Sequence, residues 1–332
     1  MWLASKFLET LTSLSFKILG VERGSWAEKK YKTVLVCLIS IPIKKIKRLR
    51  RTTQVVEMQY DNIAGQYIKE NYYLHKMRYA IVNGEVKQIS SVDNMREIRL
   101  EIRNILSKHN FKNVLEVGVG ELTTLSDIHE CFGPDIECYG VDLSLNRIRH
   151  GLKEFEKRHN KQPHVAKANA MNLPFADNSF DLVITRHTLE QMPSIYKSAL
   201  QEILRVARKH VFMFEPSYEL GGFAQKLKMI NNDYVRGIPH FLRAQHNVKF
   251  ETEFLMMNSA NPLNHTACYQ VTIENAGEEV SGNQEFVCPI TKMKLKKRMD
   301  HYHSASAKRA FPVIDGIPVF DPEYSILVTD VT

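Results

Sequence analysis

A short apolar strand that runs directly into a glycine turn constrains the fold of this chain more than any other feature. Residues 114–120 read VLEVGVG, and a helical pattern covers 122–132 immediately afterwards. A buried strand, a glycine turn and a helix in this order are typical of the unit that opens a nucleotide-binding sheet. Because glycine has no Cβ, Gly118 and Gly120 let a ligand approach the backbone closely. The stretch therefore predicts a nucleotide site.

Strand and helix patterns alternate along the rest of the chain. Apolar runs of strand length lie at 114–117, 136–141, 165–168, 181–185, 210–214, 250–257 and 267–274. Helical patterns lie at 93–109, 122–132, 145–158 and 194–208, and Ser144 is placed to cap the third of them. This alternation predicts an α/β fold with a Rossmann-like, doubly wound, seven-stranded sheet. We expect the sheet to be mostly parallel with the last strand antiparallel, since only a tight connection near 261–264 precedes that strand.

The chain divides into three parts. Residues 1–59 form a basic and apolar N-terminal helical arm, 60–275 form the sheet domain, and 276–332 form a small C-terminal β module. Within the sheet domain, residues 216–248 follow the fifth strand and are rich in aromatic, Lys and His residues. We interpret this insertion as a substrate lid, with simple surface packing as the alternative.

Two carboxylates decide which nucleotide the turn favours. Asp142 ends the second strand, where a carboxylate accepts hydrogen bonds from two ribose hydroxyls. A dinucleotide site would want a third glycine where Thr123 stands. Glu116, just before the glycines, would repel a pyrophosphate but attract a cationic sulfonium or amino group. The pattern therefore favours S-adenosylmethionine over a dinucleotide.

Three segments in order carry a specific resemblance. Residues 114–120, 139–144 (YGVDLS) and 170–183 (AMNLPFADNSFDLV) together resemble the class I S-adenosylmethionine-dependent methyltransferases, in particular the quinone-biosynthesis branch. The resemblance covers about residues 60–275 and implies methyl transfer to a small-molecule, lipid-linked or saccharide acceptor. An RNA or protein methyltransferase and a catalytically silent binding or scaffold protein remain the alternatives.

The same resemblance assigns residues to the cofactor. They are Tyr60, Glu116, Gly118, Gly120, Asp142, Leu143, Asn169, Ala170 and Met171. Glu116 and the two glycines would hold the methionine end and Asp142 the ribose. The segment 169–171 would hold the adenine, and Leu143 would pack on the adenine ring. Two positions depart from the family pattern, since Leu122 replaces the usual third glycine and Asn169 replaces an acidic residue.

Two side chains are candidates for catalysis on the acceptor side. His187 follows the fourth strand, and imidazole titrates near neutral pH, so we predict it as a general base. Glu215, at the end of the fifth strand, is the second candidate. A structural histidine and a loop-anchoring glutamate are the alternative interpretations. Because methyl transfer is an in-line displacement from an activated sulfonium, positioning alone can supply much of the rate.

Charge is concentrated at the N-terminal end. Residues 1–51 hold twelve Lys or Arg against three Glu, a net of +9, and the remaining 33 basic and 34 acidic residues give −1. A neutral sheet domain makes a nucleic-acid substrate an unfavoured interpretation. An apolar run at 33–43 precedes six basic residues at 44–51. Residues 33–51 therefore predict either a peripheral contact with an anionic membrane or a helical arm packed on the sheet domain.

Cysteine usage bears on the compartment and on metal binding. The five cysteines form no CxxC pair, and no secretory signal is evident, so we expect a cytoplasmic protein, which the membrane interpretation of residues 33–51 would place at a membrane surface. Residues 286–289 and 311–320 (FPVIDGIPVF) resemble a zinc-ribbon-like module that partners some methyltransferases. Thr291 stands where the second cysteine of a zinc pair would be, so we predict a degenerate module without metal.

Overall fold

The N-terminal part consists of helices and one hairpin. The computed structural model describes residues 22, 24–47, 53–274 and 284–328, so the first 21 residues of the predicted N-terminal arm lie outside the described residues. The elements of this part are α1 (Trp26–Lys47), α2 (Thr53–Asn62), α3 (Gln66–Ile68), which continues as a π-helix at Lys69–Tyr73, β1 (Met77–Val82) and β2 (Glu85–Ser90). No described helix is both long and apolar enough to cross a bilayer.

The predicted seven-stranded sheet is present. Its strands are β3 (Asn113–Val117), β4 (Glu137–Asp142), β5 (His164–Lys167), β6 (Phe180–Arg186), β7 (Ala207–Pro216), β8 (Val248–Leu255) and β9 (Thr266–Ile273). Their order is β5-β4-β3-β6-β7-β9-β8. Only β9 runs against the others, because it pairs antiparallel with both β7 and β8. The predicted direction of the last strand is therefore confirmed.

Helices cover both faces of the sheet, which explains why every residue of β3 is buried. They are α4 (Ser91–Leu106), α5 (Thr123–Phe132), α6 (Leu145–His159), α7 (Tyr196–Val206), α8 (Phe223–Asn231) and α9 (Ile238–Arg243). Ser144 caps α6 as predicted, and its Oγ accepts a hydrogen bond from the backbone N–H of Arg147 at 3.2 Å.

Leu122 accounts for the departure from the usual third glycine. It precedes α5 with φ of 57°, in the left-handed region that favours glycine, and its side chain is fully buried. The side chain lies against Gly151 of α6, where an added Cβ would come within 2.4 Å of Leu122 Cδ1. The absence of a side chain at 151 therefore makes room for the leucine that replaces glycine at 122.

The C-terminal module is joined to the main sheet at its edge. It contains β10 (Lys296–Lys297), β11 (His301–Ser304), β12 (Arg309–Ile314), β13 (Ile317–Pro318) and β14 (Ile326–Leu327). Val319 forms a parallel bridge with Lys167 of β5, and the N–H of Phe320 donates to the Lys167 carbonyl at 2.8 Å. These contacts cover an edge strand that would otherwise expose unpaired backbone groups.

The module also shares the hydrophobic core of the sheet domain. Phe311, Phe320 and Cys288 are fully buried in the cluster that contains Leu173 and Phe175. The predicted boundary near 276 thus separates two regions of sequence but not two cores.

Cys288 lies where the zinc-ribbon resemblance would place a ligand. Burial acts to raise the pKa of its thiol, but hydrogen bonds with Ser304 and Thr291 outweigh burial and lower that pKa. Within the described ranges, no three His, Cys, Asp or Glu side chains are grouped to hold a metal ion.

Substitution of Phe320 tests the shared core. Because its ring is fully buried between the module and the sheet domain, Phe320→Ala is expected to lower the free energy of unfolding by about 3–5 kcal/mol. Thermal unfolding followed by circular dichroism should remain a single transition at lower temperature. The matched control is Met299→Ala at an exposed position, for which we expect a change within about 0.5 kcal/mol. A separate early transition for the module alone would contradict a common core.

Candidate active site

A cavity of about 380 Å³ opens at the carboxyl ends of four neighbouring parallel strands. Its floor and walls come from the residues that follow β3, β4, β5 and β6, as expected for a ligand site of a doubly wound sheet. Helices α2 and α3 close one side through Val56, Tyr60 and Tyr67. Of the predicted site residues, the cavity is lined by Tyr60, Gly118, Asp142, Leu143, Asn169, Ala170 and His187.

Asp142 presents a preorganised carboxylate to the cavity. Its Oδ2 accepts a hydrogen bond from the Gly120 N–H and its Oδ1 accepts one from the Ser144 N–H, both at 2.8 Å. Each carboxylate oxygen has a further lone pair available. Asp142 is therefore fixed in place and still able to accept hydrogen bonds from a pair of hydroxyl groups.

Arg147 is a cavity residue that the sequence analysis did not identify. It lies one turn into α6, and its Nη1 is 3.9 Å from Asp142 Oδ2. Its guanidinium carbon is 4.9 Å from the ring centre of Tyr60 and 4.8 Å from that of Tyr67. The buried Nε makes no hydrogen bond within the described part of the chain. Arg147 also lies directly over Gly120, so that glycine contacts the arginine and does not line the cavity wall.

The adenine wall predicted for 169–171 is partly realised. Leu143, Ala168 and Ala170 form an apolar surface of the cavity. Asn169 turns its Oδ1 back to accept from the Met171 N–H at 3.0 Å, so Met171 shapes this turn without lining the cavity.

Glu116 lies behind the cavity, contrary to its predicted place at the methionine end. Its buried carboxyl faces Arg186, and one of its oxygens has no hydrogen-bond partner among the described residues. Burial raises the pKa of Glu116 to about 8, against the opposing effects of Arg186, Thr124 and the Leu125 N–H. Its place behind the cavity, and not its charge alone, separates Glu116 from the ligand space.

Glu121, the neighbour of the glycine turn, fastens the closing helices. Its two carboxylate oxygens accept hydrogen bonds from the backbone N–H groups of Gly65 at 3.0 Å and Ile68 at 2.7 Å. These donors lie at the start of α3, where backbone N–H groups lack helical partners. Glu121 therefore ties the segment that carries Tyr67 to the turn after β3 that carries Gly118.

His187 follows β6. Since β3 lies between β4 and β6 in the sheet, His187 and Asp142 lie on opposite sides of β3. Its backbone is left-handed with φ of 52°, held by its N–H donating to the Phe214 carbonyl at 3.0 Å. The imidazole Nε2 is 2.9 Å from Thr266 Oγ1, and Nδ1 is 3.5 Å from Glu190 Oε1. Burial acts to raise the pKa of Glu190, but His187 and Asn264 outweigh it and lower that pKa. Glu190 is thus an anion beside the imidazole.

Glu215 does not line the cavity, and the structure gives it the role of a loop anchor. Its Oε1 accepts from Thr185 Oγ1 at 2.8 Å and from the Thr188 N–H at 3.0 Å, and its Oε2 accepts from the Glu190 N–H at 3.3 Å. Burial raises its pKa to about 7. The prediction of Glu215 as a general base is corrected, because its oxygens hold the turn that presents His187.

The insertion 216–248, described throughout, supplies no residue to the cavity wall. We expected a substrate lid from this insertion. The cavity wall after β6 is formed instead by Gln191, Met192, Pro193, Ser194 and Ile195. The insertion supports this segment from behind, since the Val235 N–H donates to the Glu190 carbonyl at 3.2 Å.

Comparison with known proteins agrees with this geometry. Residues 115–214 match the family described as Methyltransferase domain. Demethylmenaquinone methyltransferase of Geobacillus sp. (strain WCH70) is 34% identical over 97 residues, which are 29% of this chain and 41% of that protein. An uncharacterized protein of Haemophilus influenzae (strain ATCC 51907 / DSM 11121 / KW20 / Rd) is 39% identical over 99 residues, 29% of this chain and 39% of that protein.

The fold also matches a solved structure over a larger part of the chain. The cyclase SpnF superposes with a TM-score of 0.50 at 16% identity, covering 68% of this chain and 98% of that one. The chain spans about two fifths of the length of the two curated relatives above. The segment 115–214 is thus similar to a methyltransferase domain.

The raised pKa of Glu116 predicts a pH-dependent contribution to stability. The folded state holds the proton up to about pH 8, whereas the unfolded chain releases it near 4.5, so this stabilisation is lost progressively as pH rises from 4.5 to 8. Glu116→Gln keeps a neutral group and should make the melting temperature fall less over this range. For a domain of this size, each kcal/mol of change in the free energy of unfolding shifts the melting temperature by about 2–4 °C.

Differential scanning calorimetry from pH 5 to about pH 8 measures this effect. Asp127 and Glu215, whose pKa values are raised by burial to about 6 and about 7, contribute with the same sign in both proteins. The control is Glu130→Gln at an exposed site on α5, which should follow the wild-type curve. Equal slopes for Glu116→Gln and wild type would show that Glu116 is ionised throughout.

Proposed function

We propose that this protein transfers a methyl group from S-adenosylmethionine to a small-molecule acceptor. The observation that carries the proposal is the composition of one cavity: a fixed carboxylate, Asp142, lies beside Gly118 and an apolar adenine-sized wall, and a histidine backed by a carboxylate lies across from them. The match of residues 115–214 to a methyltransferase domain supports it.

The residues present fit this cofactor. Asp142 would accept hydrogen bonds from its ribose, and Leu143, Ala168 and Ala170 would pack on its adenine. The guanidinium of Arg147, whose Nε lies 3.9 Å from Glu121 Oε1, is a donor for its carboxylate group, between the rings of Tyr60 and Tyr67. When bound, S-adenosylmethionine supplies a methyl group on a positively charged sulfur, which is activated for displacement.

On the acceptor side, His187 would take the proton that the acceptor releases on methylation. The Glu190 carboxylate at 3.5 Å stabilises the resulting imidazolium, and Thr266 at 2.9 Å fixes the ring orientation. The left-handed backbone at 187 and the Glu215 anchor hold the imidazole toward the cavity. Positioning of acceptor and methyl group in line supplies the remaining rate.

The wall composition favours a small and largely apolar acceptor. Val56, Met192, Pro193 and Ile195 line the cavity. The match of one segment to a protein named demethylmenaquinone methyltransferase supports a quinone-like aromatic acceptor within this class. The near-neutral charge beyond residue 51 does not favour a polynucleotide.

Removal of the Asp142 carboxylate tests cofactor binding. We expect Asp142→Ala to weaken binding of S-adenosylmethionine on the order of 100-fold, because charged hydrogen bonds to the ribose and the order of the Gly120 turn are both lost. Isothermal titration with the cofactor and its demethylated product measures this. Asp300→Ala, at an exposed carboxylate of the C-terminal module, is the control and should bind as wild type does. A wild-type protein that binds neither compound would favour the silent scaffold.

Substitution of His187 tests the proton-transfer role. We expect His187→Gln to lower kcat by roughly 100-fold while the dissociation constant of S-adenosylmethionine changes little, because the imidazole faces the acceptor. Transfer of labelled methyl groups to lipid, RNA and protein extracts measures activity and identifies the acceptor. His240→Gln, at an exposed histidine of α9, is the matched control. Label confined to RNA or protein would overturn the small-molecule acceptor.

A further inference from the structure

Helix α1 packs on the insertion through one narrow side. Cys37 is buried there, and Ser40 Oγ donates to Asn231 Oδ1 of α8 at 2.6 Å. The helix is therefore held on the protein surface by α8 and has an outward face.

That outward face is apolar. At 100° per residue, five of the side chains in 34–42 lie about 100° or more around the helix from Cys37. They are Leu35, Val36, Leu38, Ile39 and Pro42. Val36, Leu38 and Ile39 are 47%, 51% and 44% exposed. A contiguous apolar surface of this kind marks a contact site.

Cations flank this apolar face along the chain at both ends. Lys29, Lys30 and Lys32 precede it on α1 and are exposed. Six Lys or Arg follow it within residues 44–51. The net positive charge of the protein comes from residues 1–51, since the charges beyond position 51 sum to −1.

We propose that the outward face of α1 docks on the surface of an anionic lipid bilayer. Apolar side chains enter the interface between head groups and acyl chains, and the flanking cations meet lipid phosphates. The apolar run of about eleven residues is roughly 16 Å long as a helix, about half the thickness of a hydrocarbon core, so α1 lies in the membrane plane. Charge complementarity favours this occupant. An anionic membrane surface offers apolar acyl chains to the apolar face and negatively charged head groups to the cations on either side of it.

The docked helix is connected to the cavity by two routes. Along the chain, α1 leads into α2, which carries Val56 and Tyr60 of the cavity wall. Through contacts, α1 packs on α8, and the segment after α8 donates from the Val235 N–H to the Glu190 carbonyl. A bilayer docked on α1 is therefore linked to elements that line or support the cavity wall.

Vesicle flotation with the full-length protein tests the proposal. We expect the protein to float with vesicles of phosphatidylcholine and phosphatidylglycerol, to float poorly with phosphatidylcholine alone, and to lose binding at high salt. The double substitution Leu38→Glu with Ile39→Glu should weaken the vesicle partition coefficient on the order of tenfold or more.

The matched control uses an adjacent exposed pair elsewhere. Ile326 and Leu327 are 65% and 67% exposed on β14, and their double substitution by Glu should leave flotation unchanged. Circular dichroism verifies that each variant is folded. Because neither flotation nor this control uses S-adenosylmethionine, the test is separate from that of the catalytic proposal.

Three outcomes would overturn the proposal. They are no binding of the wild type to anionic vesicles, equal binding of the Leu38/Ile39 variant and wild type, and a wild-type dimer in sedimentation analysis that the same variant converts to a monomer. The last would identify a second copy of the chain as the occupant of this face.

Discussion

The Asp142 carboxylate is the interaction on which the geometry of the cofactor side depends. It accepts one backbone N–H from the turn after β3 and another from the start of α6. Two neighbouring strands end at this point, and without the carboxylate their loops would have buried N–H groups without partners. Gly118 lines the cavity beside this carboxylate and packs against Thr188, since an added Cβ would lie 2.2 Å from Thr188 Oγ1. Cofactor site and loop structure are therefore one arrangement.

A second buried carboxylate organises the acceptor side in the same manner. Glu215 holds the backbone of Thr188 and Glu190, and thereby the turn that directly follows His187. On each side of the cavity, one acidic side chain thus holds the backbone of a loop through hydrogen bonds. Only the first of these acids also faces the ligand space.

The sheet was predictable because each strand is a compact apolar run followed by a turn signal, and burial on both faces makes such runs continuous. The β1–β2 hairpin was not predicted, although Asn83-Gly84 between its strands is a strong hairpin signal. Cofactor residues in the strand-end turns were predicted where the backbone itself faces the ligand, as at Gly118 and Ala170. The side to which a carboxylate points was not, so Glu116 and Glu215 were assigned to the cavity although both lie behind it.

Arg147 and Glu121 were missed for a related reason. Their roles come from contacts with Tyr60, Gly65, Tyr67 and Ile68, more than 50 positions away in the chain, and no local pattern encodes such contacts. Ser144 and the cap of α6 carry a local signal and were predicted. The distinction is between short-range backbone geometry and long-range side-chain partners.

The closure of β5 by residues near 320 bears on how the chain is made. The sheet edge at Lys167 stays open during synthesis until its partner segment, about 150 residues later, has left the ribosome. During that interval the nascent domain carries an unpaired strand, with Phe175 and its neighbours lacking part of their cover. A segment far downstream therefore completes the sheet domain, and a nascent chain that stops short of it would expose an unpaired strand edge that favours aggregation.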